Sequence, residues 1–206
     1  MSVFTRRFLS RSAFAPVLFA LCHTASAAPR GDVHMHYKWS QQEVTSPQQA
    51  LDILKQNEIE LAVIIGTPPP LVQELRKLDP DRILAWYGPY ESRADWYRWY
   101  QQPETLERSE KALASGDYIG IGELHLIGGF APKWDTPVID GLLKLSEKSR
   151  APLLVHVEFG RADYLIGLCR QNPDARLLLA HAGAPMRPNE VRRALEACPS
   201  LWWELS

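Results

Sequence analysis

From residue 31 onward, short apolar runs alternate with amphipathic stretches, and this alternation constrains the fold more than any other feature of the chain. Seven runs read as strands, at 31–37, 61–66, 82–87, 118–124, 152–158, 176–183 and 201–206. Six helical patterns lie between them. The first follows Ser46-Pro47-Gln48-Gln49, which supplies an N-cap serine, a proline at the first helical position and a glutamine to close a capping box. Its expected buried stripe is Ala50, Ile53 and Leu54. Leu71, Leu75 and Leu78 mark the second helix, and the others fall near 104–115, 136–148, 162–171 and 189–198. Leu153-Leu154-Val155 and the residues leading to His181 are continuously apolar, as in strands covered on both faces of a parallel sheet.

Strictly alternating strands and helices predict a parallel α/β fold, and two such folds compete. A doubly wound sheet binds its ligand at one switch point, normally with a glycine-rich phosphate loop, and no such loop follows the first strand. A (β/α)8 barrel gathers its site from the C-terminal ends of several strands. The metal-type residues here stand late in strands one, four, five and six, so the expected fold is the TIM-barrel type, with only seven strands in this chain.

The expected domain is 28–206, because 1–27 has the layout of a secretory signal. Thr5-Arg6-Arg7-Phe8-Leu9 looks like a twin-arginine export address, 13–22 is an apolar segment too short to span a membrane, and Ala25-Ser26-Ala27 offers a cleavage site. The expected location is the periplasm, with no membrane attachment after cleavage. The twin-arginine route carries folded proteins, which suits a chain that loads a metal before export. Lys and Arg number 23 against 24 Asp and Glu, a net charge of -1, which gives no reason to expect a nucleic acid or an anionic membrane as partner. Cys22 leaves with the signal. Cys169 and Cys198 read as two buried free thiols, since nothing in the sequence brings their Cα atoms within bridging distance.

Of six histidines, His23 lies in the signal. The other five, His34, His36, His125, His156 and His181, each sit in or just after an expected strand. In Asp32-Val33-His34-Met35-His36 the two imidazoles share one strand face, ready to chelate a transition metal. A lone His-x-His is more often incidental, and a lone strand-end histidine more often belongs to the core. Glu123, in the apolar run Ile119-Gly120-Ile121-Gly122-Glu123-Leu124, is harder to dismiss, because an unpaired glutamate is almost never fully buried. His125 shares its face if the strand continues.

As a group, Asp32-Val33-His34-Met35-His36, Gly122-Glu123, Val155-His156 and Ala180-His181-Ala182-Gly183 resemble the metal-dependent hydrolases of the amidohydrolase superfamily, in its amidohydrolase-related branch. The resemblance covers about 32–206. It implies His34, His36 and His156 as metal ligands, Glu123 as a ligand or bridge and a catalytic carboxylate, and His181 as a ligand or transition-state stabiliser. It also implies one or two divalent ions, zinc or similar, and metal-assisted hydrolysis of a small-molecule amide, ester or lactone. The chain departs from the family in one respect: the family has a metal-binding, general-base Asp at the end of strand eight, whereas this chain stops in its seventh strand. The expectation is a C-terminally truncated barrel, with Glu204 not an obvious substitute. A truncated non-catalytic metal-binding barrel and a periplasmic small-molecule-binding protein are the competing readings.

His125 and Arg187 are the candidate substrate-binding residues, although Arg187 also reads as a solvated surface arginine. The aromatic stretch Tyr90, Trp96, Tyr97, Trp99 and Tyr100 reads first as packing against helices and second as a substrate wall. Trp202 and Trp203 should point to opposite faces of an edge strand, one of them onto uncovered surface. That arrangement predicts a homo-oligomer, or pairing with a complementing C-terminal segment.

Overall fold

The computed structural model describes residues 28–126, 136–157, 162–183 and 186–205. The expected signal at 1–27 and the Gly128-Gly129 and Pro132 loop lie outside them. Among the described residues, seven strands form one sheet: β1 (Arg30–Lys38), β2 (Ile59–Thr67), β3 (Ile83–Tyr87), β4 (Gly120–Leu126), β5 (Leu153–Val157), β6 (Leu177–Leu179) and β7 (Leu201–Trp203). They pair in sequence order, all parallel, as expected of an α/β barrel-type fold. The helices are α1 (Trp39–Gln42), α2 (Pro47–Gln56), α3 (Pro70–Leu78), α4 (Glu104–Ala114), α5 (Pro137–Ser149), α6 (Ala162–Gln171) and α7 (Pro188–Ala197).

Strand alternation divides the apolar residues between two faces. Ala62, Ile64 and Ala85 pack outward with Leu51, Leu54, Val72 and Leu75 of α2 and α3. Ile121, Leu124, Leu153, Val155, Leu177 and Leu179 pack outward with α5, α6 and the residues around α7. Val63, Ile65, Trp86, Leu154 and Ala180 form the smaller inner cluster, on which the sheet curls. Both faces of the central strands are dry, which accounts for their continuous apolar runs.

The capping box forms as read. Ser46 Oγ accepts from the Gln49 N–H at 3.3 Å, and Gln49 Oε1 accepts from the Ser46 N–H at 2.8 Å. The buried stripe differs from expectation. Leu51 and Leu54 are buried, while Ile53 is 49% exposed, because at about 100° per residue it lies on the opposite side of the helix from Leu51. Leu78 is likewise exposed, at the last residue of α3.

Other boundaries shift. β4 runs on to Leu126 and so includes His125. β6 stops at Leu179, and Ala180–Gly183 forms a tight turn outside the ladder. β7 ends at Trp203. The aromatic stretch contains two 3-10 turns, Asp95–Tyr97 and Trp99–Gln101. Asp95 holds them by accepting hydrogen bonds from Ser92 and Gln102. Local polar bonds of this kind leave no hydrophobic period to read.

Cys169 and Cys198 are joined in a disulfide, contrary to the free-thiol expectation. The two cysteines are 29 residues apart, but α6 packs along α7 and sets their Cα atoms 5.7 Å apart, within bridging range. Trp202 pairs beside the inner residue Leu178, and Trp203 beside the outer residue Leu179, so the two do point to opposite faces. Both remain exposed.

Two substitutions on α2 test its orientation. Leu51→Ala should cost about 2–5 kcal/mol, as for a buried leucine, whereas Ile53→Ala should fall within about 1 kcal/mol of the parent. Urea unfolding followed by circular dichroism reads both, and equal losses would contradict the packing described.

Candidate metal centre

Two irregularities in the sheet set the site. From Asp32 to Met35, β1 spends three steps against two on β2, between Ala62 and Ile64. From Ile121 to Leu124, β4 spends three steps against two on β5, between Leu153 and Val155. Each extra residue is a bulge that re-aims the side chains after it. After the first, His34 and His36 face inward while Met35 and Tyr37 pack outward on the helices. After the second, Glu123 and His125 face inward while Leu124 and Leu126 join the outer core. The β4 bulge needs a glycine: a Cβ on Gly122 would lie 2.6 Å from the Leu154 carbonyl oxygen.

His156 lies on β5 beside His125 in register. His181 follows β6 in left-handed backbone, as does Ala182, with φ of 54° and 50°. That conformation costs roughly 1–2 kcal/mol per non-glycine residue. Two bonds from Glu204, just after β7, offset it: its Oε1 accepts from the His181 N–H and its carbonyl from the Ala182 N–H, each at 2.6 Å.

Glu123 sits at the centre, 2% exposed. Its Oε2 lies 3.1 Å from His36 Nε2, 3.3 Å from His125 Nε2 and 3.6 Å from His34 Nε2. Its Oε1 lies 2.6 Å from His156 Nδ1 and 3.3 Å from His181 Nε2. All five histidines therefore converge on one carboxylate. Burial pushes the Glu123 carboxyl upward, but hydrogen bonds from His156, His34 and His36 outweigh it and hold the group well below the usual carboxylate range. Burial lowers His36, and it lowers His125 to about 3, so both are neutral at pH 7. Burial also acts to lower His34, but bonds to Glu123 and Glu204 outweigh it and raise that group.

The residues fit a bound divalent cation. His34 Nε2 and His36 Nε2 face each other at 3.1 Å, close to the spacing of about 3.3 Å that two nitrogens on one tetrahedral zinc adopt. His125 Nε2 is buried with no hydrogen-bond partner and points at the same carboxylate. Neutral imidazoles with an ionised carboxylate are the donor set a metal of this type takes. Three ligand groups are close enough: His34, His36 and Glu123; Glu123, His125 and His156; and His34, His181 and Glu204.

One wall of the site is aromatic. The Trp96 ring stacks on His125 with centroids 3.8 Å apart. The Tyr90 hydroxyl donates to the Glu123 carbonyl at 2.8 Å and accepts from the His125 N–H at 2.9 Å. Lys38, two residues beyond His36, holds its Nζ 5.3 Å from the Trp96 ring.

Of the residues read from sequence, the structure brings together His34, His36, Glu123, His156 and His181. It adds His125, read there as a substrate contact, to the same ligand set. Arg187 stands exposed at the N-cap of α7, and among the described residues no hydrogen bond or ion pair links it to the cluster. The aromatic stretch divides: Trp99 is core, while Trp96 and Tyr90 line the site. Glu204, set aside in the sequence, has its carboxylate 2.8 Å from His34 Nδ1. The signal that could have found it is the one used for Glu123, a lone glutamate in an apolar strand end.

Neither a family model nor a curated protein sequence matches the chain. Among solved structures, it is similar to an uncharacterised TIM-barrel protein from Bordetella bronchiseptica, with a TM-score of 0.58 and 14% identity over 81% of this chain and 61% of that one. It is also similar to an amidohydrolase from Burkholderia multivorans with bound HEPES, with a TM-score of 0.53 and 15% identity over 86% of this chain and 70% of that one. The chain thus has a TIM-barrel-type fold like that of an amidohydrolase, and it spans 61% of the length of the first of these structures.

These ionisations give the metal-free protein a pH signature. His36 and His125 take up protons less readily folded than unfolded, so below the unfolded value of about 6.5 the unfolded chain binds more protons and stability falls. Glu123 adds a loss of the same sign once pH falls below its unfolded value. His34 has the opposite sign, its contribution being present below about 6.5 and lost as pH rises through its raised folded value. Three groups outweigh one, so the melting temperature of chelator-treated protein should fall between pH 6.5 and pH 4. A rise on acidification would contradict the assignment.

Proposed function

We propose that the chain is an exported metal-dependent hydrolase acting on a carbonyl centre, an amide, ester or lactone. The observation that carries this reading is the ring of five imidazoles around the buried Glu123 carboxylate at the C-terminal ends of β1, β4, β5 and β6, where a barrel of this type places its chemistry. His34, His36 and Glu123 would hold one divalent ion, zinc or similar. Glu123, His125 and His156 form a second group that would hold another. A bound ion of this kind acidifies water toward neutral pH and polarises the scissile carbonyl.

The chain's own groups supply the rest. Glu123, held ionised, would supply the negative charge that the bound cation requires. His181, the most open of the five and with its Nε2 directed into the cluster, would donate to the developing oxyanion. Trp96 packs one side of the site and excludes water from it. Lys38 brings a cation to the same wall and takes the place proposed from sequence for Arg187, so a substrate with an anionic group beside the scissile bond is favoured. The Cys169–Cys198 disulfide suits an oxidising compartment, and with the twin-arginine signal it supports a periplasmic location.

Purified protein should carry about one to two equivalents of zinc or a similar ion, and the protein should lose that ion on His34→Ala with His36→Ala. A protein that binds no ion after reconstitution would sink the proposal. With a substrate found among esters, lactones and amides, His181→Asn should keep its metal and lower kcat by about 100- to 1,000-fold, the effect of removing one oxyanion donor. Loss of metal together with activity would instead make His181 a ligand.

A further inference from the structure

Glu204 has so far been given no part in the proposed chemistry, yet it is 5% exposed and bonded through both side chain and main chain. Its Oε1 lies 2.8 Å from His34 Nδ1 and accepts from the His181 N–H at 2.6 Å. Its own N–H donates to the Leu179 carbonyl at 3.1 Å, and its carbonyl accepts from Ala182. The His34 and His181 rings stack between these bonds, with centroids 4.8 Å apart. Among the described residues no ladder joins β1 to β7, so this carboxylate is a direct tie between the two edges of the sheet.

We propose that Glu204 is a positioning residue for His34, fixing its imidazole as the Nδ1–H tautomer and aiming Nε2 at His36 and Glu123. The inference rests on the metal-centre reading above. An imidazole that donates from one ring nitrogen to a carboxylate presents the other as a more basic, oriented ligand. The geometry fits that division: His34 Nδ1 meets Glu204, while Nε2 lies 3.1 Å from His36 Nε2 and 3.6 Å from Glu123 Oε2. A direct ligand role for Glu204 is the competing reading, since His34, His181 and Glu204 also lie within ligand reach of one another. The positioning role is favoured because Oε1 faces His34 Nδ1 and accepts from the His181 N–H, while His34 Nε2 is the nitrogen that meets His36 and Glu123.

The side chain can be tested without removing the backbone tie, because the bonds to Leu179 and Ala182 use main-chain atoms of Glu204. Glu204→Ala and Glu204→Gln would be compared with the parent in full-length protein. Chelator competition measures zinc affinity, Co²⁺ absorption reports the ligand field, and ¹⁵N shifts of His34 in metal-free protein report its tautomer. The expected result is zinc binding about 10- to 100-fold weaker in Glu204→Ala at unchanged stoichiometry. Its Co²⁺ bands should shift, and its His34 should be a tautomer mixture. Glu204→Gln keeps an acceptor oxygen without the charge and should fall between; it carries the test if the alanine variant does not fold. Parental affinity and an unchanged His34 tautomer in both variants would overturn the inference. So would the loss of a whole equivalent of metal with the tautomer intact, which would make Glu204 a ligand. If the parent itself binds no zinc, the metal-centre reading fails, and the His34 tautomer alone decides the role of Glu204.

Discussion

A carboxylate taken out of water must be compensated, and the functional face of this protein is organised around that requirement at Glu123. The penalty for an unpaired buried charge is several kcal/mol even after relaxation. Here the compensation is five imidazoles drawn from four separate places in the chain, with a 2.6 Å contact to His156 the shortest. Burial drives two of them, His36 and His125, to the neutral form. Two neutral imidazoles crowded on an ionised carboxylate are a donor set that suits a cation, so the electrostatics of the cluster and its proposed chemistry have one cause.

The scaffold meets that need through irregularity rather than regularity. An ideal strand in β4 would have sent residues 121, 123 and 125 to the same face, and the bulge at Gly122 separates Ile121 from the pair that follows. The same device in β1, between Asp32 and Met35, spans His34 and precedes His36. After β6 the chain leaves the ladder early and turns through left-handed backbone at His181 and Ala182, held by Glu204. The clustered residues thus sit where the sheet departs from its own rule, on a frame kept rigid by apolar packing of the helices outside it.

Around this centre the aromatic stretch after β3 does two jobs. Trp99 is fully buried against the α5 and α6 side of the core, while Tyr90 ties the β4 backbone at both Glu123 and His125, and Trp96 covers the His125 ring. A tyrosine hydroxyl that both donates and accepts is well suited to bracing a bulged strand, where ladder bonds are interrupted.

The sequence by itself determined the order of the elements, the parallel sheet and most of the residues that cluster around Glu123. Apolar period, proline and capping residues are local signals, and histidines placed late in buried strands converge wherever parallel strands share one end. His34, His36, Glu123, His156 and His181 were legible for that reason. What only the tertiary structure decided depends on distances between residues far apart in the chain. Ile53 turned out of the core because the angle at which a helix sits on a sheet is set by its neighbours. Cys169 found Cys198 because α6 lies along α7. His125 entered the ligand set because β4 bulges and continues. Glu204, 170 residues from His34, became its partner because the curl of the sheet brings the ends of β1 and β7 within one hydrogen bond of each other, and curvature leaves no mark on hydrophobic period.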